Sequence, residues 1–387
     1  MISPEIVQHF EKIFIDEKSR DSELAQRVLQ IFPAEKIQFV LGPPLSNKGP
    51  LSAEQFDRSK RLLYVKPFEG HFFKRCPGAS QKKVLTCCNY YVLNLGQQCN
   101  MNCSYCYLQS YLNTPTMQMY SNIDQALKEL EDMAETHPDL PYRVGTGEVI
   151  DSLSLDEISL HSRKLIAFFK KFPKWTLEFK TKSDKVDQFL DCEHAGNVVV
   201  SWSINAPEVI SREEHGTASF EARLKAARKC ADRGFQVAFH IDPLIYHSGW
   251  QQGYQSLIDE IHARFRPSEV HVVSVGALRF QPEQRHLMRE RFGMSSWVTS
   301  AEMFQSEGGK LRYDQNLRKE MFDFVVHGLK AKDPAWKVFL CMETPESWIS
   351  SYEKTPLQVP ELKEIFRPLP KIRSESQEQN AGQACHP

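Results

Sequence analysis

The chain has 387 residues, 41% of them hydrophobic, and a formal net charge of −1. That length allows one large domain with an appendage, or two domains. The near-neutral balance excludes a molecule that binds nucleic acid or membrane with its whole surface, and leaves room only for a local basic patch. No run of 18 or more apolar residues occurs, so no membrane helix is expected. The start, Met1-Ile2-Ser3-Pro4-Glu5, lacks a basic segment followed by an apolar core, so no secretory signal is expected. The ten cysteines then read as reduced thiols of a cytoplasmic protein, and their clustering favours metal or redox chemistry over disulfides.

In chain order, Glu5 to Phe14 and Asp21 to Phe32 carry apolar residues at helical spacing, Ile37 to Leu41 is a short apolar run, and Gly42 to Pro50 reads as a loop. Residues 1–85 are expected to form an N-terminal α/β extension. From about Tyr90 the rhythm changes. Short apolar runs at Tyr90–Leu95, Tyr142–Val144, Thr176–Phe179, Val198–Ile204, Gln236–Ile241, Val270–Val275 and Lys337–Leu340 alternate with amphipathic segments at Asn122–Glu135, Leu155–Lys171, Ser219–Arg233 and Trp250–Arg264. Alternation of this kind predicts an α/β fold of parallel strands with crossover helices, a partial (βα)6-type barrel over residues 86–352. A polar, Gly-containing insertion is expected at about 281–330, and a disordered tail at 368–387. In a barrel, active residues sit just after each strand. Those addresses hold Asn94 to Cys106, Gly145 to Glu148, Lys182, Ser203, Asn205, Asp242, Arg279 and Cys341.

After the first strand the chain reads Cys99-Asn100-Met101-Asn102-Cys103-Ser104-Tyr105-Cys106-Tyr107. Three thiolates at C-x3-C-x2-C spacing can hold three irons of a [4Fe–4S] cubane and leave the fourth open to the amino and carboxylate groups of S-adenosylmethionine. Structural zinc usually takes four ligands, often as two C-x2-C pairs. No second pair of that spacing follows, and Cys87-Cys88 are adjacent. The spacing therefore favours the cluster over zinc or unrelated thiols.

The triplet, its address and the α/β rhythm resemble the radical S-adenosylmethionine superfamily. Longer stretches narrow this to spore photoproduct lyase and its relatives: Phe72-Phe73-Lys74-Arg75-Cys76-Pro77-Gly78, Cys103-Ser104-Tyr105-Cys106-Tyr107-Leu108-Gln109, Tyr111-Leu112-Asn113-Thr114-Pro115, His215-Gly216-Thr217-Ala218-Ser219-Phe220-Glu221-Ala222-Arg223-Leu224 and Gly249-Trp250-Gln251-Gln252-Gly253-Tyr254. The resemblance spans about residues 60–345. It implies a barrel of the radical S-adenosylmethionine type and repair of the methylene-bridged thymine dimer that ultraviolet light forms in DNA. The adenosyl radical would take hydrogen from the lesion, the bridge would break, and a protein donor would quench the product radical.

The resemblance implies Cys99, Cys103 and Cys106 as cluster ligands, and Gly147 and Glu148 at the amino group of the methionine moiety. It implies Lys182, Ser203 and Asn205 on the rest of that ligand, and Tyr105 and Tyr107 in radical transfer. It also implies damaged DNA as partner and an electron donor such as flavodoxin or ferredoxin. Family members that use a cysteine hydrogen donor carry it where Gly145 stands here, and glycine has no side-chain hydrogen to give. Cys341 is then the leading replacement, with a buried small hydrophobe as its plainer reading. Arg279, Lys310, Arg312 and Tyr313 are the expected DNA contacts, although Glu283, Glu290, Glu302 and Glu307 dilute that basic patch. Two other functions compete. One is a related radical enzyme acting on another nucleic acid or a small molecule, which Gly145 would suit. The other is a non-enzymatic iron–sulfur DNA sensor, which would not need the ligand-binding positions after strands two to four.

Overall fold

The computed structural model describes residues 2–47, 49–78, 85–306 and 308–369. The expected disordered tail at 368–387 lies outside these from residue 370 onward.

Seven parallel strands run in sequence order across one curled sheet: Tyr91–Leu93, Arg143–Gly145, Thr176–Thr181, Val198–Ser203, Gln236–Leu244, Val270–Ala277 and Val338–Leu340. They are called strands one to seven below. Each pairs with the next in parallel register, as in Val199↔Gln236 and Val273↔Val338. Strand four is buried at every position, because helices cover one face and the lumen the other. Its valines each contribute roughly 1.5–3 kcal/mol by leaving water. The crossover helices bury one stripe: Ile123, Ala126, Leu130 and Ala134 on Ile123–Thr136 recur at helical spacing. Ser219 caps the helix Phe220–Asp232 by accepting from the Ala222 amide. This is the half-barrel the sequence predicts.

Four expectations change. The helix expected over Glu5 to Phe14 ends at His9, and Lys12–Asp16 is a strand. Ile13 and Ile15 pack on one face there, and the backbone pairs with Ile37–Val40 and Leu62–Lys66. The single helix expected over Leu155 to Lys171 is two, Asp156–Ser159 and His161–Phe169, broken where Leu160 takes a left-handed φ of 50°. The insertion ends near residue 314. Gln315–Lys332 is the crossover helix into strand seven and packs on Trp250–Arg264.

Residue 85 is not a structural boundary either. Phe73–Arg75 joins the barrel sheet antiparallel to strand one. Conversely, Met117–Tyr120 and Gly96–Gln97 complete a five-stranded sheet with the N-terminal strands. The two sheets interleave because the segment after strand one crosses from one to the other and back.

Candidate active site

The loop after strand one carries the cysteine triplet, and packing holds it on several sides. Gln98 takes a left-handed φ of 80° and is fully buried. Its amide donates to Ser59 Oγ at 3.1 Å, and its oxygen accepts from the Cys99 amide at 3.1 Å. Asn102–Cys103 pairs antiparallel with Glu214–His215. Lys60 and Arg291 reach the loop from outside. Arg291 donates to Asp57 Oδ1 at 2.5 Å, to Gln109 Oε1 at 2.6 Å and to Asn102 Oδ1.

Cys103 is buried, and Cys99 and Cys106 lie against the apolar group Leu51, Phe56, Leu108, Leu112 and Val149. Burial pushes the Cys99 thiol up to about 11 and the Cys103 thiol higher still. Cys99 and Cys106 add their negative charge to the upward push on Cys103, and among the described residues no three Cys, His, Asp or Glu converge on a single metal ion. Three thiols on one loop are the donor set for three irons of a cubane, and the apolar wall suits a cluster kept from water.

The ends of strands two to four supply charged groups. A β-carbon at Gly147 would stand 2.7 Å from the Lys180 carbonyl and 2.9 Å from Ser152 Oγ, so glycine lets the turn pack closely. Glu148 Oε2 is buried without a hydrogen-bond partner among the described residues, and Lys74 Nζ lies 3.9 Å away. Burial raises its carboxyl above the usual range, with Lys74 opposing. Lys182 Nζ donates to Ser203 Oγ at 2.7 Å, and its backbone amide donates to Asp151 Oδ2 at 2.8 Å. Burial pulls the Lys182 ammonium down, but Glu214 and Cys103 together hold it above its usual value, so it stays charged. An unsatisfied carboxylate and a charged lysine on neighbouring strand ends fit a zwitterionic ligand. Asn205 does not belong with them. Its amide donates to the Pro243 carbonyl at 2.7 Å, and its oxygen accepts from Tyr254 Oη at 2.8 Å and the Ala206 amide at 3.0 Å. Fully buried, it shapes the turn after strand four and leaves no acceptor for a ligand.

The two tyrosines differ. Tyr105, partly buried, donates its hydroxyl to Glu214, which also pairs at 2.7 Å with the fully buried Arg223. Tyr107 is 44% exposed and donates to the Glu148 carbonyl at 2.6 Å. Cys341 follows strand seven and is tied to strand six by its amide on the Val275 carbonyl at 2.8 Å. Burial and then Asp242 push its thiol well up, so it remains S–H. At Gly145 a β-carbon would stand 1.6 Å from Tyr90 Oη. The tyrosine hydroxyl fills the volume a residue-145 side chain would need. It faces Glu178 without a hydrogen bond of good geometry. Below it in the lumen, Glu178 accepts from His240 at 2.7 Å, and His240 Nδ1 meets Ser274 Oγ at 2.5 Å. His240 is thus a satisfied interior histidine.

Of the expected DNA residues, three are committed inside the protein. Arg279 forms a two-pronged pair with Asp242 at 2.9 and 3.0 Å. Arg312 is buried against Glu343 at 2.8 Å, and Tyr313 is buried with its hydroxyl accepting from the Tyr246 amide at 3.1 Å. Lys310 is half-buried, and burial with Arg279 and Arg312 nearby lowers its ammonium. It precedes the strand Leu311–Arg312, whose antiparallel partner Phe304–Gln305 carries the exposed Phe304. Glu214, Lys60 and Tyr90 were not singled out from sequence. They reach the site from distant segments, and no local spacing marks them.

The spore photoproduct lyase family model matches residues 84–322, more than half of the chain. The spore photoproduct lyase of Geobacillus sp. is 34% identical over 172 residues, 44% of this chain and 50% of that protein. That of Bacillus subtilis is 31% identical over 175 residues, 45% of this chain and 51% of that protein. The chain thus matches about half the length of these two. That of Clostridium acetobutylicum is 22% identical over 334 residues, covering 83% of this chain and 95% of that protein. A solved double mutant of spore photoproduct lyase with bound AdoMet and dinucleoside spore photoproduct matches with a TM-score of 0.73. The identity is 23%, over 87% of this chain and all of that one, so the likeness is one of fold.

Proposed function

Because the chain belongs to the spore photoproduct lyase family, we propose that it is a radical S-adenosylmethionine lyase that reopens methylene-bridged thymine dimers in DNA. The observation that carries this reading is the barrel rim. Glu148 has a buried, unsatisfied carboxylate oxygen, and Lys182 keeps its charge beside Ser203. They suit the ammonium and the carboxylate of one amino-acid ligand, beside the loop that carries the thiols of Cys99, Cys103 and Cys106. When bound, the [4Fe–4S] cluster at Cys99, Cys103 and Cys106 and the S-adenosylmethionine supply the 5′-deoxyadenosyl radical.

The chain's own residues do the rest. Gly147 lets the turn approach closely, Glu148 holds the ammonium end, and Lys182 with Ser203 holds the carboxylate end. Tyr105 keeps Glu214 in place beside Lys182. Cys341 gives its S–H hydrogen to the product radical, because Gly145 has none to give and Tyr90 closes that position. Tyr107, exposed at the mouth, relays the radical back toward the cofactor. Lys310 and the exposed Phe304 suit phosphate contact and stacking against a displaced base. A cluster held there would need an electron donor, of the flavodoxin or ferredoxin class. Among the described residues no helix is long and apolar enough to cross a membrane.

Anaerobically reconstituted protein supplied with S-adenosylmethionine, a reductant and dinucleoside spore photoproduct should release the repaired dinucleotide, measured by mass spectrometry. Cleavage of S-adenosylmethionine without repair would overturn the substrate assignment. No cleavage at all would overturn the enzyme class.

A further inference from the structure

Lys60 stands outside the cysteine motif, at the C-terminal cap of the helix Ala53–Ser59 in the N-terminal sheet's own layer. It is 4% exposed. Its Nζ donates to the Cys99 carbonyl at 2.9 Å and to the Met101 carbonyl at 2.6 Å, and lies 4.8 Å from the centre of the Phe56 ring. The neighbouring Ser59 accepts from Gln98 at 3.1 Å, so the end of this helix grips the loop twice.

A buried ammonium is costly unless negative charge lies close by. Among the described residues its hydrogen-bond partners are these two carbonyls, and neither is an anion. They take up two of its three donors, and carbonyl dipoles carry no counter-charge. The acceptors it holds are the first ligand cysteine and the residue two further on. Phe56, under its ammonium, belongs to the apolar group against which Cys99 and Cys106 pack. The charge therefore sits on the wall of the cluster's own compartment.

We propose that Lys60 is a positioning residue that fixes the cluster loop by two hydrogen bonds and, by its buried charge, raises the reduction potential of the cluster. This rests on the cluster assignment made above. One-electron reduction adds negative charge to the cluster, and a fixed cation at short range in a poorly screened site stabilises the reduced form more than the oxidised one. The N-terminal unit is then part of the redox site.

The test is a redox titration of the reconstituted protein without S-adenosylmethionine, followed by electron paramagnetic resonance of the reduced cluster. Wild type, Lys60→Met, Lys60→Gln and Lys60→Arg are compared at equal iron content. At a fixed solution potential the ratio of reduced to oxidised cluster should fall about tenfold in the neutral variants, a midpoint about 59 mV lower for a one-electron couple. Lys60→Arg, which keeps the charge, should stay near wild type. Lys60→Gln keeps a donor for the loop carbonyls, so it holds the loop even where Lys60→Met fails to fold. A Lys60→Gln protein with full iron and an unchanged midpoint overturns the proposal and leaves the enzyme class standing. A wild type that takes up no cluster overturns both.

Discussion

At the residue scale the most telling positions are those with an unmet need. Glu148 keeps a buried oxygen without a hydrogen bond among the described residues, the Lys74 cation standing 3.9 Å off, and that cost is tolerable where a second cation is to be bound. Glu148→Ala and Lys182→Ala should each weaken S-adenosylmethionine binding by roughly 1.5–3 kcal/mol, because each removes a charge-assisted contact in a desolvated site. Equilibrium binding to reconstituted protein, with the cluster's absorption unchanged, checks this. Unaltered affinity in both variants would refute the rim assignment. Gly145 has the opposite problem, since Tyr90 Oη already occupies its side-chain space. Gly145→Cys alone should destabilise the protein by about 1–3 kcal/mol through overpacking. The double variant Tyr90→Ala/Gly145→Cys should recover part of that loss in denaturant unfolding. Cys341→Ala should let lesion radicals form without clean closure, so adducts accumulate as repaired dinucleotide falls. Normal product without adducts would remove Cys341 from the mechanism.

At the element scale, the cluster loop depends on partners far away in sequence. Arg291, on the helix Gln284–Phe292, joins Asp57, Asn102 and Gln109. Arg291→Ala should lower iron retained per chain below the about four of a cubane, measured after gel filtration, with the fold intact by circular dichroism. Full iron in that variant would show that Lys60, Gln98 and the Glu214–His215 pairing hold the loop alone. The place of the loop after strand one was legible in the sequence, because thiolate spacing and the apolar run before it are local signals. The strands were legible too: all seven apolar runs match barrel strands within a few residues. Two helices were misread for a local reason. The stretch Lys12 to Asp16 has apolar residues that fit a helix as well as a strand, and only pairing with Leu62–Lys66 decides. The break at Leu160 carries no glycine or proline to announce it. Arg312 and Tyr313 read as surface contacts, because charge and aromaticity do not reveal that Glu343, from beyond strand seven, waits inside for the arginine.

At the scale of the whole molecule, interior charge sets how stability responds to acid. His161 is buried, and desolvation with Lys164 nearby lowers its imidazole to about 4. Its folded value lies below its ordinary value, so between about pH 6.5 and 4 the unfolded chain binds the extra proton and stability falls as pH falls. Its share is on the order of 3 kcal/mol across that window. Thermal unfolding at pH 7.5 and 5 should show a larger loss in wild type than in His161→Gln, and equal losses would contradict the assignment. The interleaved sheets have a consequence for how the protein is made. Leu62–Lys66 pairs early with Lys12–Asp16 but gains its second neighbour only when Met117–Tyr120 arrives, and the cysteine triplet lies between them. A ribosome therefore releases all three cysteines before the sheet that brackets them can close. At roughly 5–20 residues per second, the stretch from Cys106 to Tyr120 gives on the order of a second in which the nascent loop is open to incoming iron.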